Sequence, residues 1–396
     1  MVNKFLHPNG GSETYIFNLG NELIRQGHEV EYFGMEHEKR IVGNHLELYT
    51  DNMDFHTGKL QKLLYPFKIL YSREAYQKMM RLLKSFQPDV VHVNNFNFQL
   101  TPSILYAIRD YNRSRKTEVK IVYTAHDTQL VCPNHLMQNP ITKERCDACL
   151  HSGGIQCTKN KCIHGSGIKS FLGTVENILY KTLKSYKLFD IIICPSQFIK
   201  SKLDSDSVLQ EKTVVLYNFV EVVKSNKEIK KEDYILYFGR FSEEKGIKTL
   251  IEVCKRLKNI NFHFAGSGPL EKEIREIPNI ELRGFLSGEA LTDEIRKAKL
   301  VVFPSECYEN CPFTVMEAQL CGTPLLASDL GGIPELMKNN VSGELFEAGN
   351  KEELINKIDY LWKNPEVIRK YEENCKKVNF DTLEQYTMKM IDIYQK

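Results

Sequence analysis

Along most of the chain, short β-branched and aromatic runs alternate with longer segments whose apolar residues recur every three or four positions. The short runs are VEYFG (30–34), DVVHVNN (89–95), KIVYTAHD (120–127), DIIICPS (190–196), TVVLYN (213–218), YILYFGR (234–240), NFHFAG (261–266), IELRGFL (280–286), LVVFPS (300–305) and PLLASD (324–329). Near-continuous apolar runs separated by helical periodicity mark strands of parallel sheets covered on both faces. Ten such units exceed one regular sheet. The stretch VEVVKSNKEIKKEDY (220–234) is charged and aperiodic and reads as a linker. The pattern therefore predicts an α/β protein of two doubly wound, Rossmann-like domains, 1–219 and 220–380, and an amphipathic terminal helix over 381–396. Ahead of the first glycine turn stand only six residues, MVNKFL. Either the first strand is short or the sequence has lost its first residues.

The totals narrow the class. At 396 residues the chain is too long for one ordinary core, and its 42% hydrophobic and 26% charged content is that of a globular protein. Lys plus Arg number 53 against 51 Asp plus Glu, so there is no global drive toward nucleic acid. The apolar runs are too short to span a bilayer and no signal peptide is visible, so a cytoplasmic location is expected. The stretch 59–86 mixes basic and large apolar residues. It reads as a core-facing amphipathic helix pair, with peripheral membrane contact as the alternative. Of eleven cysteines, several are scattered singly, as small buried hydrophobes in a reducing compartment are, and five cluster between 132 and 162.

Candidate chemistry lies where strands end. HPNGGSE places Gly10 and Gly11 before a helix start, where backbone amides can approach an anion or hydroxyl. A plain strand-to-helix turn capped by Ser12 would look the same. GRFSEEKG puts Arg240 at a strand end and Lys245 five residues on, a fork and a point charge that suit a diphosphate. The bland alternative is a solvated turn paired with Glu243 and Glu244. AGSGP around Gly268 and RGFL at 283–286 add two glycine turns at further strand ends. In SECYENCPFTVMEAQLCGTP (305–324), Pro312 predicts a helix start capped by Asn310 or Cys311. Glu309 then lies in the loop before that helix, Phe313 and Thr314 offer free amides, and Glu317 sits inside it. Capping plus one exposed carboxylate is the bland alternative.

Taken in order, NGGSE, TAHD (124–127), GRFSEEKG, AGSGP, RGFL, the two glutamates with seven residues between them, CGTPLLASDLGGIPE (321–335) and the closing IDIYQK resemble the retaining glycosyltransferases of family 4, with the GT-B architecture. The resemblance spans the chain and is most specific in its C-terminal half. It implies an acceptor-side N-terminal domain, a C-terminal domain binding a nucleotide-sugar donor (UDP-, GDP- or ADP-linked), a cleft between them, and a terminal helix returning to the first domain. Arg240 and Lys245 would hold the diphosphate, backbone near Phe285 and Leu286 would face the base, and Glu317 would bind the ribose. Glu309 would sit beside the donor sugar, with Asn310, Cys311, Phe313 and Thr314 at the helix start near the phosphate. Gly11 would approach the phosphate from the other domain, and His126 the sugar near its anomeric carbon. The implied activity is metal-independent sugar transfer to a glycan or lipid-linked acceptor in surface polysaccharide or glycolipid synthesis. A non-catalytic binding protein should have lost Glu309, Lys245 or His126; a nucleotide-sugar epimerase has no evident need of an acceptor-side insert. No nucleic-acid partner is expected.

That insert, about 130–168, is longer than loops usually run and lacks periodicity. Cys146-x-x-Cys149 has zinc-knuckle spacing. Related transferases with a similar insert imply a structural zinc on Cys132, Cys146, Cys149 and Cys162, leaving Cys157 spare. Spacing alone equally allows 146, 149, 157 and 162, and a reduced thiol-rich loop without metal is the bland alternative.

Overall fold

The structure, a computed structural model, describes residues 1–52, 65–116, 118–222 and 229–396. The chain divides into two compact units, Met1–Tyr217 with Leu383–Lys396, and Asn218–Thr382.

In the first unit, β1 (Val90–Val93), β2 (Lys120–Thr124), β3 (Ile191–Cys194) and β4 (Thr213–Val215) pair in that order, all parallel. The side chains of β1, β2 and β3 are largely buried on both faces, whereas Val214 of β4 is exposed; Val91, Val93, Ile121, Tyr123 and Ile192 form one core with the helices Arg73–Phe86 and Ser103–Asn112. The expected strand at 30–34 does not form. Val2 makes single parallel bridges to Phe33 and to Val93, so only one residue stands between those two segments to pair with them. Of the stretch 59–86, residues 59–64 lie outside the described residues. The helix Arg73–Phe86 buries Ala75, Met79, Leu82 and Leu83, so its apolar face belongs to the core.

The second unit carries β5 (Glu232–Arg240), β6 (Asn261–Ser267), β7 (Ile280–Gly284), β8 (Ala298–Phe303), β9 (Leu325–Ser328) and β10 (Gly343–Phe346) in the order β10-β9-β8-β5-β6-β7. All pairings are parallel. The C-terminal ends of these strands therefore share one edge, which is where the loops carrying Arg240, Gly268, Phe285 and Glu309 emerge. β10 was not expected: GELF is short, and its Glu344 is a buried polar residue held by Lys357 at 2.9 Å. Residues 223–228 of the expected linker lie outside the described residues.

The terminal helix Leu383–Gln395 packs within the first unit. Tyr386 is fully buried and its hydroxyl lies 2.8 Å from that of Tyr15. The Tyr394 hydroxyl meets His92 Nδ1 at 2.7 Å.

Candidate active site

In the second unit, two loops that carry candidate residues are locked together. The loop after β5 turns through Glu243–Lys245 into Gly246, whose φ is +72° and where a Cβ would stand 1.9 Å from the Pro304 carbonyl. Only glycine allows that approach. The amides of Glu306 and Cys307 then donate to the Glu244 carbonyl at 3.0 and 3.2 Å, which fixes the loop after β8 beside Lys245. Lys245 Nζ consequently donates to Glu309 Oε1 at 2.6 Å, and the Ser305 hydroxyl donates to the same oxygen at 2.6 Å. Burial disfavours the Lys245 ammonium, but the adjacent Glu309 carboxylate more than reverses this and holds it raised above its ordinary value. The Glu309 carbonyl accepts the Gly332 amide at 2.8 Å, and Gly331 (φ +62°) has its Cα where a Cβ would lie 2.3 Å from that same carbonyl oxygen.

Arg240 is placed differently. It is exposed at the end of β5, and among the described residues its guanidinium makes no ion pair. Neither Glu243 nor Glu244 takes it: Glu243 pairs with Lys248 at 3.3 Å, and Glu244 accepts the Ser242 hydroxyl at 2.6 Å. Of the two cations, Lys245 pairs with Glu309, and Arg240 stays exposed to solvent.

The helix Phe313–Leu320 starts one residue later than the sequence predicts. Pro312 is its N-cap, with no side-chain cap on the first amides. Asn310 and Cys311 stand in the preceding loop. The Cys311 thiol is buried and its carbonyl accepts Asn218 Nδ2 at 3.2 Å, so it faces inward. Phe313 and Thr314 are half-buried at the helix start. Glu317, a turn and a half along, is half-buried, has no hydrogen-bond partner among the described residues, and is pushed up to about 7 by burial. Gly268 has a structural reason to be glycine, because a Cβ there would lie 2.4 Å from the Phe241 carbonyl. Phe285 is 77% exposed beside the half-buried Leu286.

In the first unit, Gly10 and Gly11 sit at the start of the helix Gly11–Arg25. Gly10 is exposed and extended (φ 179°), and a Cβ on it would meet nothing closer than 3.6 Å, so the fold itself does not demand glycine there. Behind this turn, buried Glu13 accepts Asn3 Nδ2 and the Ser12 hydroxyl at 3.0 Å each, and Asn95 Nδ2 donates to Ser12 at 3.1 Å. His126 follows β2. Its Nε2 lies 2.9 Å from Asn94 Oδ1, which assigns the proton to Nε2, and its ring meets Tyr15 edge-on at 4.9 Å. Burial pushes the imidazole down to about 4, so it is neutral at physiological pH. Asn94 and Ser305, which orient His126 and Glu309, were not singled out from the sequence; each is the polar residue at the end of an apolar run.

The insert brings Cys132, Cys146, Cys149, Cys157 and Cys162 around one small cavity. The Cys132 thiol donates to Asn134 Oδ1 at 3.0 Å. The expected spare thiol is not set apart: Cys157 is 1% exposed, lines the same cavity, and its carbonyl accepts the Cys162 amide at 3.0 Å. As placed, no group of three or more His, Cys, Asp or Glu among the described residues is positioned to hold a metal ion.

Two parallel-stranded Rossmann-like units, with a cation–carboxylate pair and an uncapped helix start at strand ends, define the GT-B class of glycosyltransferase. Family comparison agrees. Residues 9–224 match the description Glycosyltransferase Family 4, and residues 219–378 match Glycosyl transferases group 1. The chain belongs to glycosyltransferase family 4. It is 33% identical over 227 residues to an uncharacterized glycosyltransferase of Methanocaldococcus jannaschii, a match covering 54% of this chain and 61% of that one. It is 24% identical to the amylovoran biosynthesis glycosyltransferase AmsK of Erwinia amylovora, over 87% of this chain and 86% of that one. Among solved structures, sucrose-phosphate synthase from Thermosynechococcus elongatus superposes with TM-score 0.66 at 16% identity, covering 98% of this chain and 94% of that one. The Anabaena protein HepE, solved in complex with UDP, gives TM-score 0.65 at 15% identity, covering 100% and 98%.

Proposed function

We propose that this glycosyltransferase moves a hexose from a nucleotide-sugar donor to a glycan or lipid-linked acceptor with retention of anomeric configuration and without a catalytic metal, in surface polysaccharide or glycolipid synthesis at the cytoplasmic side. The observation that carries the donor reading is the division of labour in the second unit. Arg240 keeps an ion-pair capacity for a diphosphate, Lys245 and Ser305 orient Glu309, and Glu317 keeps a carboxylate without a hydrogen-bond partner among the described residues, within the helix whose first amides have no side-chain cap. Bond cleavage leaves oxocarbenium-like charge on the sugar and negative charge on the departing diphosphate. Arg240, Lys245 and the amides of Phe313 and Thr314 would oppose the second. Glu309, with Oε1 already held, would present Oε2 to the sugar. Glu317 would accept ribose hydroxyls, and exposed Phe285 with Leu286 would face the base. From the acceptor-side unit, Gly10 and Gly11 would meet the phosphate, and neutral His126 the sugar.

UDP bound to HepE supports a uridine donor over a guanosine or adenosine one. A structural zinc would be held by Cys132, Cys146, Cys149 and Cys162, or by a set that includes Cys157, and these thiols, which line one cavity, would have to draw together to bind it.

The test is a panel of UDP-, GDP- and ADP-sugars scored by thermal shift and by mass spectrometry of donor hydrolysis. One donor should stabilise the protein by about 2.7 kcal/mol at a hundredfold excess over Kd, and should be hydrolysed slowly. Stabilisation by none of them overturns the donor reading.

A further inference from the structure

The helix Gly167–Thr182, which follows the cysteine insert, is turned inside out. Its buried residues include Ser170, Gly173, Thr174, Glu176 and Asn177, with Tyr180 the one large ring among them. Its large aliphatic and aromatic residues point the other way: Ile168 is 78% exposed, Phe171 56%, Ile178 42%, Leu179 36%, and Leu183 at its end 56%. Leu172 and Val175 are half-buried between them. At 3.6 residues per turn these seven positions share an arc of about 140°, a continuous stripe rather than scattered apolar residues. Soluble proteins rarely leave such a stripe uncovered.

The polar face is the inner one because it has partners there. Thr174 donates to the Gly154 carbonyl at 3.0 Å and receives the Thr158 hydroxyl at 2.7 Å, while the Ser170 hydroxyl accepts the Ile163 amide at 2.9 Å. Reversing the helix would break these bonds, so the outward apolar stripe is fixed by the fold and is not an accident of a loosely packed surface.

Charge identifies what covers it. Between residues 130 and 187 there are eight Lys and Arg against three Asp and Glu, whereas the rest of the chain carries 45 against 48. Lys169, Lys181, Lys184 and Lys187 belong to the helix and its exit. Glu176 faces inward, and burial pushes its carboxyl up to about 8, so it places no solvated negative charge at the stripe. An apolar helix face with basic residues at its margins is the pattern of a helix lying in the headgroup layer of an anionic membrane. A second copy or another protein would be held by the apolar stripe without needing the basic excess.

We propose that the outward face of the helix Gly167–Thr182, with its flanking lysines, is a docking surface for an anionic lipid bilayer. This helix is distinct from the stretch 59–86. The surface contains none of the residues placed in the candidate active site, and the inference stands apart from the choice of donor.

The purified full chain is sedimented with phosphatidylcholine vesicles, with and without phosphatidylglycerol. Binding is expected only to the anionic vesicles and should weaken as salt is raised. Phe171→Glu combined with Ile178→Glu should lower the bound fraction roughly tenfold or more, because two buried side chains are lost from the apolar layer. The milder Phe171→Ser should show a smaller loss with an unchanged melting temperature, and donor hydrolysis should be unaffected in both. Phe171→Trp adds a reporter to a chain whose single tryptophan is Trp362 in the other unit, and its emission should shift to the blue on adding anionic vesicles. Equal sedimentation of wild type and both variants would overturn the proposal. So would absence of binding to anionic vesicles. A concentration-dependent dimer that Phe171→Glu dissociates, with no vesicle binding, would make a second copy the occupant and overturn it as well.

Discussion

Glu309 and Glu317 stand eight positions apart in sequence, and their surroundings differ in kind. Glu309 has one oxygen clamped by Lys245 and Ser305; Glu317 has no hydrogen-bond partner among the described residues, and burial raises its carboxyl. Glu317→Ala should therefore weaken nucleoside diphosphate binding measured by calorimetry, while Glu309→Ala leaves that binding nearly intact and lowers turnover; equal loss of affinity in both would refute the split. Arg240→Ala should reduce turnover by roughly 10²–10³, the scale for removing one preorganised donor to developing charge, and kinetics within threefold of wild type would refute its role. Lys245→Ala and Glu309→Ala should be strongly non-additive, since each leaves the other without its ion-pair partner. The pH behaviour of Glu317 has a definite sign. Its folded value is raised from 4.5 to about 7, so its contribution to stability is present below 4.5 and is lost as pH rises through about 7. Glu317→Gln cannot ionise. Its melting temperature relative to wild type should climb between pH 4.5 and 7 and level off above, and a flat difference would show that the carboxyl is not buried as described. The two glutamates and both cations were legible as residue types at strand and helix ends. The clamp was not, because Lys245 and Glu309 lie 64 residues apart and only the loop-to-loop bonds at Glu244 bring them together.

At the scale of elements, hydrophobic runs located nine strands that the structure contains, because strands of a parallel sheet are apolar on both faces and stand out in any window. The two discrepancies have opposite causes. GELF (343–346) hides as a strand because a glutamate interrupts it, held by Lys357 from a neighbouring helix. VEYFG (30–34) has a strand's composition but only Val2 as a neighbour. Loops are harder to read than strands, since their conformation depends on what they touch. The pair Gly331-Gly332 shows this: it supports the Glu309 backbone, a contact that no spacing rule announces. Gly331→Ala, with φ at +62° and a carbonyl in the way, should displace Glu309 and lower turnover, while nucleotide affinity, which rests on Glu317, stays within a few-fold. Steady-state kinetics beside calorimetry separates the two effects. The insert is the second such case. If its thiols hold zinc, elemental analysis of reduced, active protein should find about one metal per chain, and chelation should open new protease sites within 130–165 while both sheets persist. Cys146→Ser should lose the metal. Cys157→Ser distinguishes the two ligand sets, since loss of metal there would bring Cys157 into the set in place of Cys132. Metal-free active protein would remove the zinc proposal.

At the scale of the whole molecule, the chain enters the second unit at Asn218 and leaves it at Thr382, so the first unit is completed by the helix that follows the second. The helix Leu383–Gln395 is not an appendage. Tyr386, Thr387 and Met390 are buried, and the Tyr386 hydroxyl completes a chain with Tyr15 and Thr124 at 2.8 and 3.3 Å. Thr124 also meets His92, whose other ring nitrogen is held by Tyr394. His92 is fully buried, and desolvation holds it well below its ordinary value, so this network operates with a neutral imidazole. The consequence is that the stability of the first unit depends on residues more than three hundred positions away in sequence, while the second unit has its own core and contains Arg240, Glu309 and Glu317. Tyr386→Ala should cost the first unit about 3–5 kcal/mol, the range for truncating a fully buried large aromatic. It also leaves the Tyr15 hydroxyl short of a partner. Hydrogen exchange should show the loss over residues 90–215 and spare 232–346. Nucleoside diphosphate affinity, carried by the second unit, should hardly change, whereas transfer to an acceptor should fall, because Tyr15 is also the ring against which His126 rests. Uniform deprotection of both sheets, or a parallel loss of nucleotide affinity, would mean that the two units do not hold their stability separately.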